Sequence, residues 1–241
     1  MRFIEFCKKI RTRGPQGIVR SLSFRARSAP SNIWSMIDNP HRFLRGVDGV
    51  IHVGANSGQE LELYAKYNLR VLWIEPLPDI FEKLQENIRG FPAQSALMAL
   101  VTDKDDAKYV FNIASNDGAS SSIFEFGRVN EIWPEINYVS SIKIKSVTLD
   151  RLLGKVSEEY QALIMDTQGS ELLVLKGATN LLRHVKFVRT EAADFESYRG
   201  CARVDDLTTY LESFGFTLIR KDKFAESPKG GKYFDILYAR R

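Results

Sequence analysis

Strand-like and helix-like segments alternate from residue 47 onward, and this alternation is the feature that most constrains the fold of the chain. The first predicted strands are short and apolar and cover residues 49–53, 70–75 and 95–101. Helical patterns fill residues 59–67 and 79–88 between them, and in the second an apolar residue recurs at every fourth position. Alternating strands and helices build a mostly parallel sheet with helices on both faces. The sequence therefore predicts a doubly wound α/β fold.

The alternation is interrupted between residues 108 and 148. Two strand-like segments there flank a polar, turn-rich stretch, SNDGASSS, at residues 115–122. We interpret this region as a β insertion that covers one end of the sheet and shapes a pocket. The alternation then resumes with predicted strands and helices at residues 162–165, 171–182, 187–190 and 204–214, and with a terminal hairpin of residues 216–220 and 233–239.

The positive charge of the chain is concentrated at its start. The 241 residues carry a formal net charge of +4, but residues 1–45 contribute +8 and the rest −4. We therefore divide the chain into a basic N-terminal arm with short helical segments, residues 1–46, and one domain, residues 47–241. A basic arm is suited to peripheral contact with an anionic membrane surface, and equally to packing on the domain with a solvated basic face. The acidic body argues against a nucleic-acid partner.

Several other classes of protein are excluded by pattern. No apolar run approaches the roughly 20 residues of a membrane-spanning helix, and the first ten residues lack the apolar stretch of a secretory signal. The two cysteines, Cys7 and Cys201, are far apart and have no metal-binding spacing. We expect a cytoplasmic protein with two reduced thiols.

A loop with glycine at both ends follows the first predicted strand. It consists of Gly54, Ala55, Asn56, Ser57 and Gly58. Glycine permits a tight turn and close backbone approach, and Asn56 tolerates a left-handed conformation. Ser57 and Glu60 have the spacing of a capping box for the next helix. The loop is therefore a candidate cofactor-binding turn, although a glycine pair also serves in plain packing turns.

An acidic residue follows the second predicted strand. Glu75, before Pro76, lies 17 residues beyond Gly58, close to the spacing at which a carboxylate binds a ribose diol. The chain has neither a GxGxxG loop for a pyrophosphate nor a GxxxxGK[ST] loop for a nucleoside triphosphate. The pattern therefore favours a cofactor with an adenosine group and no phosphate.

Two further carboxylates follow neighbouring later strands. Asp166 comes after the strand at residues 162–165, and Glu191 ends the strand at 187–190. Ligands of open α/β sheets bind outside the carboxyl ends of the strands, so we expect both at one pocket. Asp166 is the candidate catalytic base or acceptor-orienting group and also a candidate cofactor-binding residue, with helix capping as the alternative. Glu191 is the second catalytic candidate, and Glu171 is a helix-start carboxylate.

The remaining candidates are less specific. Asp103, past the third strand, is a candidate acceptor for the adenine amino group or a solvated loop residue. Ser120, Ser121 and Ser122 are candidates to line the acceptor side, with a plain loop as the alternative. No metal is predicted, because the two catalytic carboxylates have no third ligand near them in the sequence.

Short motifs along residues 47–239 resemble those of the FkbM-type S-adenosylmethionine-dependent methyltransferases. They are VGANSGQ at 53–59, WIEP at 73–76, DTQGSE at 166–171 with VLKGA at 174–178, and TE at 190–191. The resemblance implies a Rossmann-like sheet of seven strands with an antiparallel last strand, S-adenosylmethionine as cofactor, and O-methylation of a hydroxyl on a sugar or secondary metabolite. His52 stands where the family usually has aspartate. We count it as a loop-orienting residue of the cofactor site, with a buried structural histidine as the alternative.

Two other functions fit parts of the pattern. A nucleic-acid methyltransferase would use the basic arm. However, the residues that follow the strand at 162–165 are DTQG, unlike the motif of amino-group methylation. In addition, Cys201 lacks the preceding proline of cytosine C5 enzymes. A noncatalytic S-adenosylmethionine-binding module would keep the fold without turnover. A small-molecule or glycan hydroxyl is the acceptor that we expect.

Overall fold

The computed structural model describes residues 39–154 and 159–241. The chain divides into two compact units, Met1–Gly46 and Val47–Arg241. In the described part of the first unit, a 3-10 helix covers Arg42–Gly46. The helical segments predicted for the N-terminal arm lie outside the described residues, as does Cys7, and they stay predictions.

The second unit contains two sheets and five α-helices within its described residues. The strands, in chain order, are β1 (Gly49–Val53), β2 (Arg70–Glu75), β3 (Gln94–Met98), β4 (Leu100–Val101), β5 (Lys108–Ala114), β6 (Tyr138–Val147), β7 (Ala162–Met165), β8 (Phe187–Ala193), β9 (Phe216–Glu226) and β10 (Lys232–Arg240). The helices are α1 (Leu61–Lys66), α2 (Pro78–Ile88), α3 (Leu149–Leu153), α4 (Glu171–Lys176) and α5 (Val204–Glu212).

The larger sheet has seven strands in the order β3-β2-β1-β7-β8-β10-β9. Its first five strands are parallel to one another. The last strand in sequence, β10, runs antiparallel to both of its neighbours. The predicted Rossmann-like, doubly wound sheet of seven strands is therefore confirmed. Chain order reverses between β1 and β7, and this switch point is where such sheets bind ligands.

The region after β3 departs from the predicted strand at residues 95–101. That segment forms two strands, because the chain leaves the large sheet after Ala99, whose N–H donates to the Glu75 carbonyl (3.3 Å). Strand β4 then pairs with β6 in a second sheet of order β4-β6-β5. The insertion is thus an antiparallel β5–β6 ribbon, and β4 connects it to the rest of the domain.

The predicted capping box at Ser57 and Glu60 is wrong. Helix α1 begins at Leu61 with Glu60 as its N-cap, and no side-chain hydrogen bond caps it. Backbone turns instead occupy the preceding residues, with Gly58 N–H donating to the Ala55 carbonyl (2.9 Å) and Leu61 N–H to the Gly58 carbonyl (3.1 Å).

The VLKGA segment is a packing element that ends α4. Val174, Leu175 and Ala178 are fully buried in the main core. A Cβ on Gly177 would lie 2.1 Å from the carbonyl oxygen of Thr102. The helix predicted for residues 171–182 therefore stops at Lys176, because the backbone after it packs directly on the turn that follows β4. Within the described residues, no helix is long and apolar enough to span a membrane.

We expect Gly177→Ala to destabilise the domain by about 1–3 kcal/mol, because the new methyl group meets a backbone oxygen that cannot move aside. Gly90→Ala is the matched control, since a Cβ there has no atom within 4 Å. The free energy of unfolding from chemical denaturation tests both variants. Equal stability of Gly177→Ala and the wild type would contradict the packing argument.

Candidate active site

The register of the large sheet places four of the sequence-predicted residues in one row. Val53 lies beside Ile74 and Met165, and Met165 lies beside Thr190. On each strand the next residue therefore occupies the carboxyl edge of the sheet. This row consists of Glu75, Gly54, Asp166, Glu191 and, paired with Glu191 on β10, Asp235.

The glycine loop begins with a close contact between backbones. Gly54 has a φ of +79°, and a Cβ there would lie 1.9 Å from the carbonyl oxygen of Asp166. Ala55 is buried, and the N–H groups of Gly54 and Ala55 both donate to the Ile74 carbonyl (3.0 and 3.1 Å). Asn56 has a φ of +45°, as its residue type allows. Glycine at position 54 is thus required by the approach of β1 to β7.

The far end of the loop is fixed by α2. Gly58 has a φ of +78°, and a Cβ there would lie 2.9 Å from the Leu84 side chain. The Ser57 carbonyl accepts a hydrogen bond from Asn87 Nδ2 (2.7 Å). The loop is therefore held between the sheet and the helix that follows β2.

Glu75 joins the glycine loop to the start of α2. Its Oε2 accepts the N–H of Asn56 (2.9 Å), and its Oε1 accepts the N–H of Leu77 (3.0 Å). Pro76 is buried beside it in the turn into α2. Burial raises the pKa of Glu75 to about 7, although both backbone hydrogen bonds oppose this shift. Each carboxylate oxygen keeps a second lone pair for another donor.

His52 lies one row behind the loop, on the interior part of β1. Its ring stacks on Trp73, with centroids 5.1 Å apart, and its Nδ1 is 3.0 Å from the Tyr64 hydroxyl. Burial, and then the positive charge of Arg189, lowers the pKa of His52 to about 3, so the ring is neutral. These partners support the alternative of a buried structural histidine, which positions α1 behind the loop.

The segment after β7 is organised by Glu171. Its Oε1 accepts hydrogen bonds from the N–H and hydroxyl of Thr167 (3.1 and 3.2 Å) and from the N–H of Gly169 (3.1 Å). The N-cap of α4 is Ser170, so Asp166 does not cap this helix. Asp166 Oδ1 instead accepts a hydrogen bond from Gln168 Nε2 (2.5 Å).

Asp166 and Glu191 are partly buried acids on adjacent strands. Burial first, and then the charge of Glu171, raises the pKa of Asp166 to about 7. Burial, and then Asp166 and Asp235, raises the pKa of Glu191 well above its usual value. Both carboxyl groups are therefore harder to ionise than exposed ones, as is common for acids that exchange protons with a substrate.

A half-buried ion pair completes the row. Arg189 Nε donates to Asp235 Oδ1 (2.8 Å), and its Nη2 contacts Asp235 Oδ2. Sequence reasoning missed both residues, and it missed Gln168. A signal was present for Asp235, which is a lone acid in the otherwise apolar run YFDILYA.

The insertion contacts both sides of the row. Ser122 Oγ donates to the carbonyl of Gln168 (2.7 Å) on the Asp166 side. At the other end of the same loop, Gly118 packs on Leu77 and Ile80 at the start of α2, near Glu75. Ser120 and Ser121 are buried and bind within the loop, to Asn116 and to the N–H of Ala114. Of the three serines, the structure brings Ser122 to the site.

Two residues that the sequence analysis singled out lie outside the row. Asp103 lies beside Gly177 at the end of α4, and its adenine contact stays a prediction. Cys201 is a free thiol whose Sγ is 3.4 Å from the N–H of Tyr198. Across residues 39–154 and 159–241, no group of three or more His, Cys, Asp or Glu side chains is arranged to hold a metal ion.

The described residues fit a cofactor with an adenosine group. Glu75 ends β2 as a buried carboxylate with lone pairs to spare, which suits the two hydroxyls of a ribose. The backbone at Gly54 leaves no room for a side chain at the mouth of the switch point. Glu75 would hold the ribose of such a cofactor, and the glycine loop would lie along it.

The solved structures that this chain resembles have low sequence identity to it. The fibrillarin/Nop5p complex is 16% identical over 88% of this chain and 81% of that chain, with a TM-score of 0.48. An uncharacterized protein from Listeria monocytogenes serotype 4b is 7% identical over 89% and 69%, with a TM-score of 0.47. Magnesium protoporphyrin IX methyltransferase from Synechocystis PCC 6803, with bound SAM, is 10% identical over 80% and 69%, with a TM-score of 0.44.

No curated protein matches the sequence. A family model does, over residues 52–218, and its description is "Methyltransferase FkbM domain". The matched residues include the glycine loop, Glu75, Asp166 and Glu191, and they make up well over half of the chain. The protein therefore belongs to the FkbM methyltransferase family and uses S-adenosylmethionine as its cofactor.

Proposed function

We propose that the protein methylates a hydroxyl oxygen of a small molecule or glycan, with a sugar or secondary metabolite as the typical acceptor. The observation that carries the proposal is the contact between Asp166 and the glycine loop. The carbonyl of Asp166 touches Gly54, and the pKa of its carboxyl is raised to about 7. A proton acceptor thus adjoins the turn that borders the cofactor.

An alcohol must lose its proton as it attacks a methyl group, and a positioned base accelerates this step by about 10²–10⁴-fold. When bound, S-adenosylmethionine supplies an electrophilic methyl group on a sulfonium. Asp166 accepts the hydroxyl proton, and a pKa close to the working pH favours this role. Fixed placement of the two reactants contributes a further 7–11 kcal/mol, roughly.

The charges around Asp166 support an acceptor rich in hydroxyl groups. Glu191 and Asp235 extend the acidic row on the acceptor side, and carboxylates accept hydrogen bonds from hydroxyl donors. Arg189, a cation beside this row, is already engaged by Asp235 and is a poor partner for a phosphate. The row therefore favours a sugar or polyhydroxylated metabolite over a nucleic acid.

Glu75→Gln is expected to weaken S-adenosylmethionine binding by about 10- to 100-fold, because one carboxylate oxygen becomes an amide donor that cannot accept from the ribose. Titration calorimetry with S-adenosylmethionine and S-adenosylhomocysteine measures the effect. Glu86→Gln, an exposed change on α2, should bind like the wild type. Wild-type affinity of Glu75→Gln would remove Glu75 from the cofactor site.

Asp166→Asn is expected to bind the cofactor normally and to lose about 10²–10⁴-fold in turnover, because the amide cannot accept the hydroxyl proton. Release of S-adenosylhomocysteine with a panel of sugars and polyketide-like alcohols measures turnover. Wild-type activity should rise with pH through about 7 as Asp166 loses its proton. Asp205→Asn, an exposed acid of α5, is the control.

Undiminished turnover by Asp166→Asn would contradict the role of Asp166 as base. Cofactor binding without turnover on any hydroxylated acceptor would instead favour a noncatalytic binding module.

Asp166→Asn is also expected to stabilise the fold above neutral pH. Since the folded-state pKa of Asp166 is raised from 3.8 to about 7, the stability linked to its proton is present below about pH 4 and is lost as the pH rises through about 7. The variant should therefore be more stable than the wild type at pH 8, by about 1–3 kcal/mol. Melting temperatures from pH 4 to 8 test this, and a gap that does not grow with pH would contradict it.

A further inference from the structure

Gln168 is a buried polar residue in an unusual backbone conformation. Its φ is +53°, in the left-handed region that non-glycine residues seldom occupy, and 7% of its surface is exposed. Such conformations persist only where the surrounding contacts determine them, and they concentrate at functional sites. The contacts that hold Gln168 are therefore informative.

Three hydrogen bonds hold Gln168 to three parts of the domain. Its main-chain carbonyl accepts from Ser122 Oγ of the insertion (2.7 Å). Its side-chain Oε1 accepts from the Tyr198 hydroxyl (2.6 Å). Its Nε2 donates to Asp166 Oδ1 (2.5 Å). The left-handed backbone turns the side chain back toward Asp166, two residues earlier in the chain.

The Tyr198 hydroxyl and the Asp166 carboxylate together set which way the amide faces, because the carboxylate only accepts hydrogen bonds. Tyr198 is fully buried, and its ring packs so closely on Gly169 that a Cβ there would lie 3.1 Å from it. Burial raises the pKa of Tyr198 well above its usual value, so its hydroxyl keeps its proton and donates it. With Oε1 bound to Tyr198, only the NH₂ group of Gln168 can face Asp166.

We propose that Gln168 is a positioning residue for Asp166: its amide, oriented by Tyr198 and anchored through Ser122, holds Oδ1 and leaves Oδ2 to take the proton of the acceptor. The inference rests on the proposed role of Asp166 as base. It assigns the insertion a part in catalysis, because Ser122 holds the backbone from which the amide projects.

The charged surroundings of Asp166 make this one bond important. Carboxyl groups and phenols face Asp166 from several elements: Glu60, Glu171, Glu191, Asp235, Tyr198 and Tyr233. Burial and the acids among them raise the pKa of Asp166, whereas the hydrogen bond from Gln168 lowers it. Arg189 is engaged with Asp235. Loss of the Gln168 amide should therefore leave Asp166 harder to ionise.

The test follows the ionisation of Asp166 directly, without an acceptor. Carbon-13 NMR of protein labelled at the aspartate carboxyls, with S-adenosylhomocysteine present, gives the titration of Asp166, and the signal is assigned by its loss in Asp166→Asn. Gln168→Met keeps the side-chain length and removes the amide. It should raise the titration midpoint of Asp166 by about one to two pH units.

Two other variants and a control sharpen the result. Gln168→Glu should raise the midpoint further, because a second carboxylate then faces Asp166. Tyr198→Phe keeps the ring and loses the hydroxyl, so it should give a smaller shift in the same direction. Gln94→Met removes another buried glutamine, which accepts from Trp73 Nε1 (2.7 Å) and lies at the start of β3, away from the carboxyl edge of the sheet, and it should give no shift.

Turnover then separates this inference from the proposed function. The Gln168 variants should lower kcat at pH 7, leave the KM for S-adenosylmethionine unchanged, and recover part of the loss at pH 9. An unshifted midpoint in Gln168→Met overturns the role of Gln168 alone, provided that Asp166→Asn is inactive. Wild-type turnover by Asp166→Asn overturns the base and the positioning role together.

Discussion

The close approach of Gly54 to the carbonyl of Asp166 is the contact on which the active site depends. It occurs where chain order reverses in the sheet, between β1 and β7. Because no side chain separates the two backbones, the glycine loop and the segment that carries Asp166, the proposed base, share one edge of the sheet. Cofactor binding and proton transfer, the tasks proposed for these two distant parts of the sequence, are thereby placed side by side.

The same edge concentrates acids that proteins usually keep in water. Glu75, Asp166 and Glu191 are raised in pKa mainly by burial, and Arg189 is already engaged with Asp235. A fold optimised for stability alone would replace these groups or pair them. Their arrangement is typical of a site in which stability has been exchanged for reactivity. The surrounding core of the domain, from Ile51 to Tyr238, supplies the stability that this arrangement costs.

Sequence reasoning succeeded where a pattern has one physical cause. Buried parallel strands need continuous apolar runs, so β1, β2 and β7 were predicted at their observed bounds, and glycines that permit close approach marked the loop at Gly54. It failed where the outcome depends on contacts between distant segments. The division of residues 95–101 into β3 and β4 depends on pairing with β6, more than 40 residues later. The bond of Gln168 to Tyr198 depends on two loops that meet only after folding.

Local rules also misled where tertiary contacts override them. Ser57 and Glu60 have the spacing of a capping box, yet the tight turns after Gly54 delay the start of α1 to Leu61. Similarly, the helical pattern after Glu171 continues past Lys176, but the contact of Gly177 with Thr102 ends the helix. Local backbone turns in the first case, and a backbone contact with the turn after β4 in the second, prevail over a preference worth about 1 kcal/mol.

The loop of the insertion that carries Gly118 and Ser122 borders both of the proposed sites, that of the cofactor and that of the acceptor. Gly118 packs on α2 beside Glu75, the proposed ribose contact, and Ser122 holds the backbone of Gln168 beside Asp166, the proposed base. Any ordering of this loop by one ligand changes the cost of ordering it for the other. Linkage then requires that the gain in acceptor affinity produced by the cofactor equals the gain in cofactor affinity produced by the acceptor. Affinities measured for either ligand alone would then understate the affinity in the ternary complex.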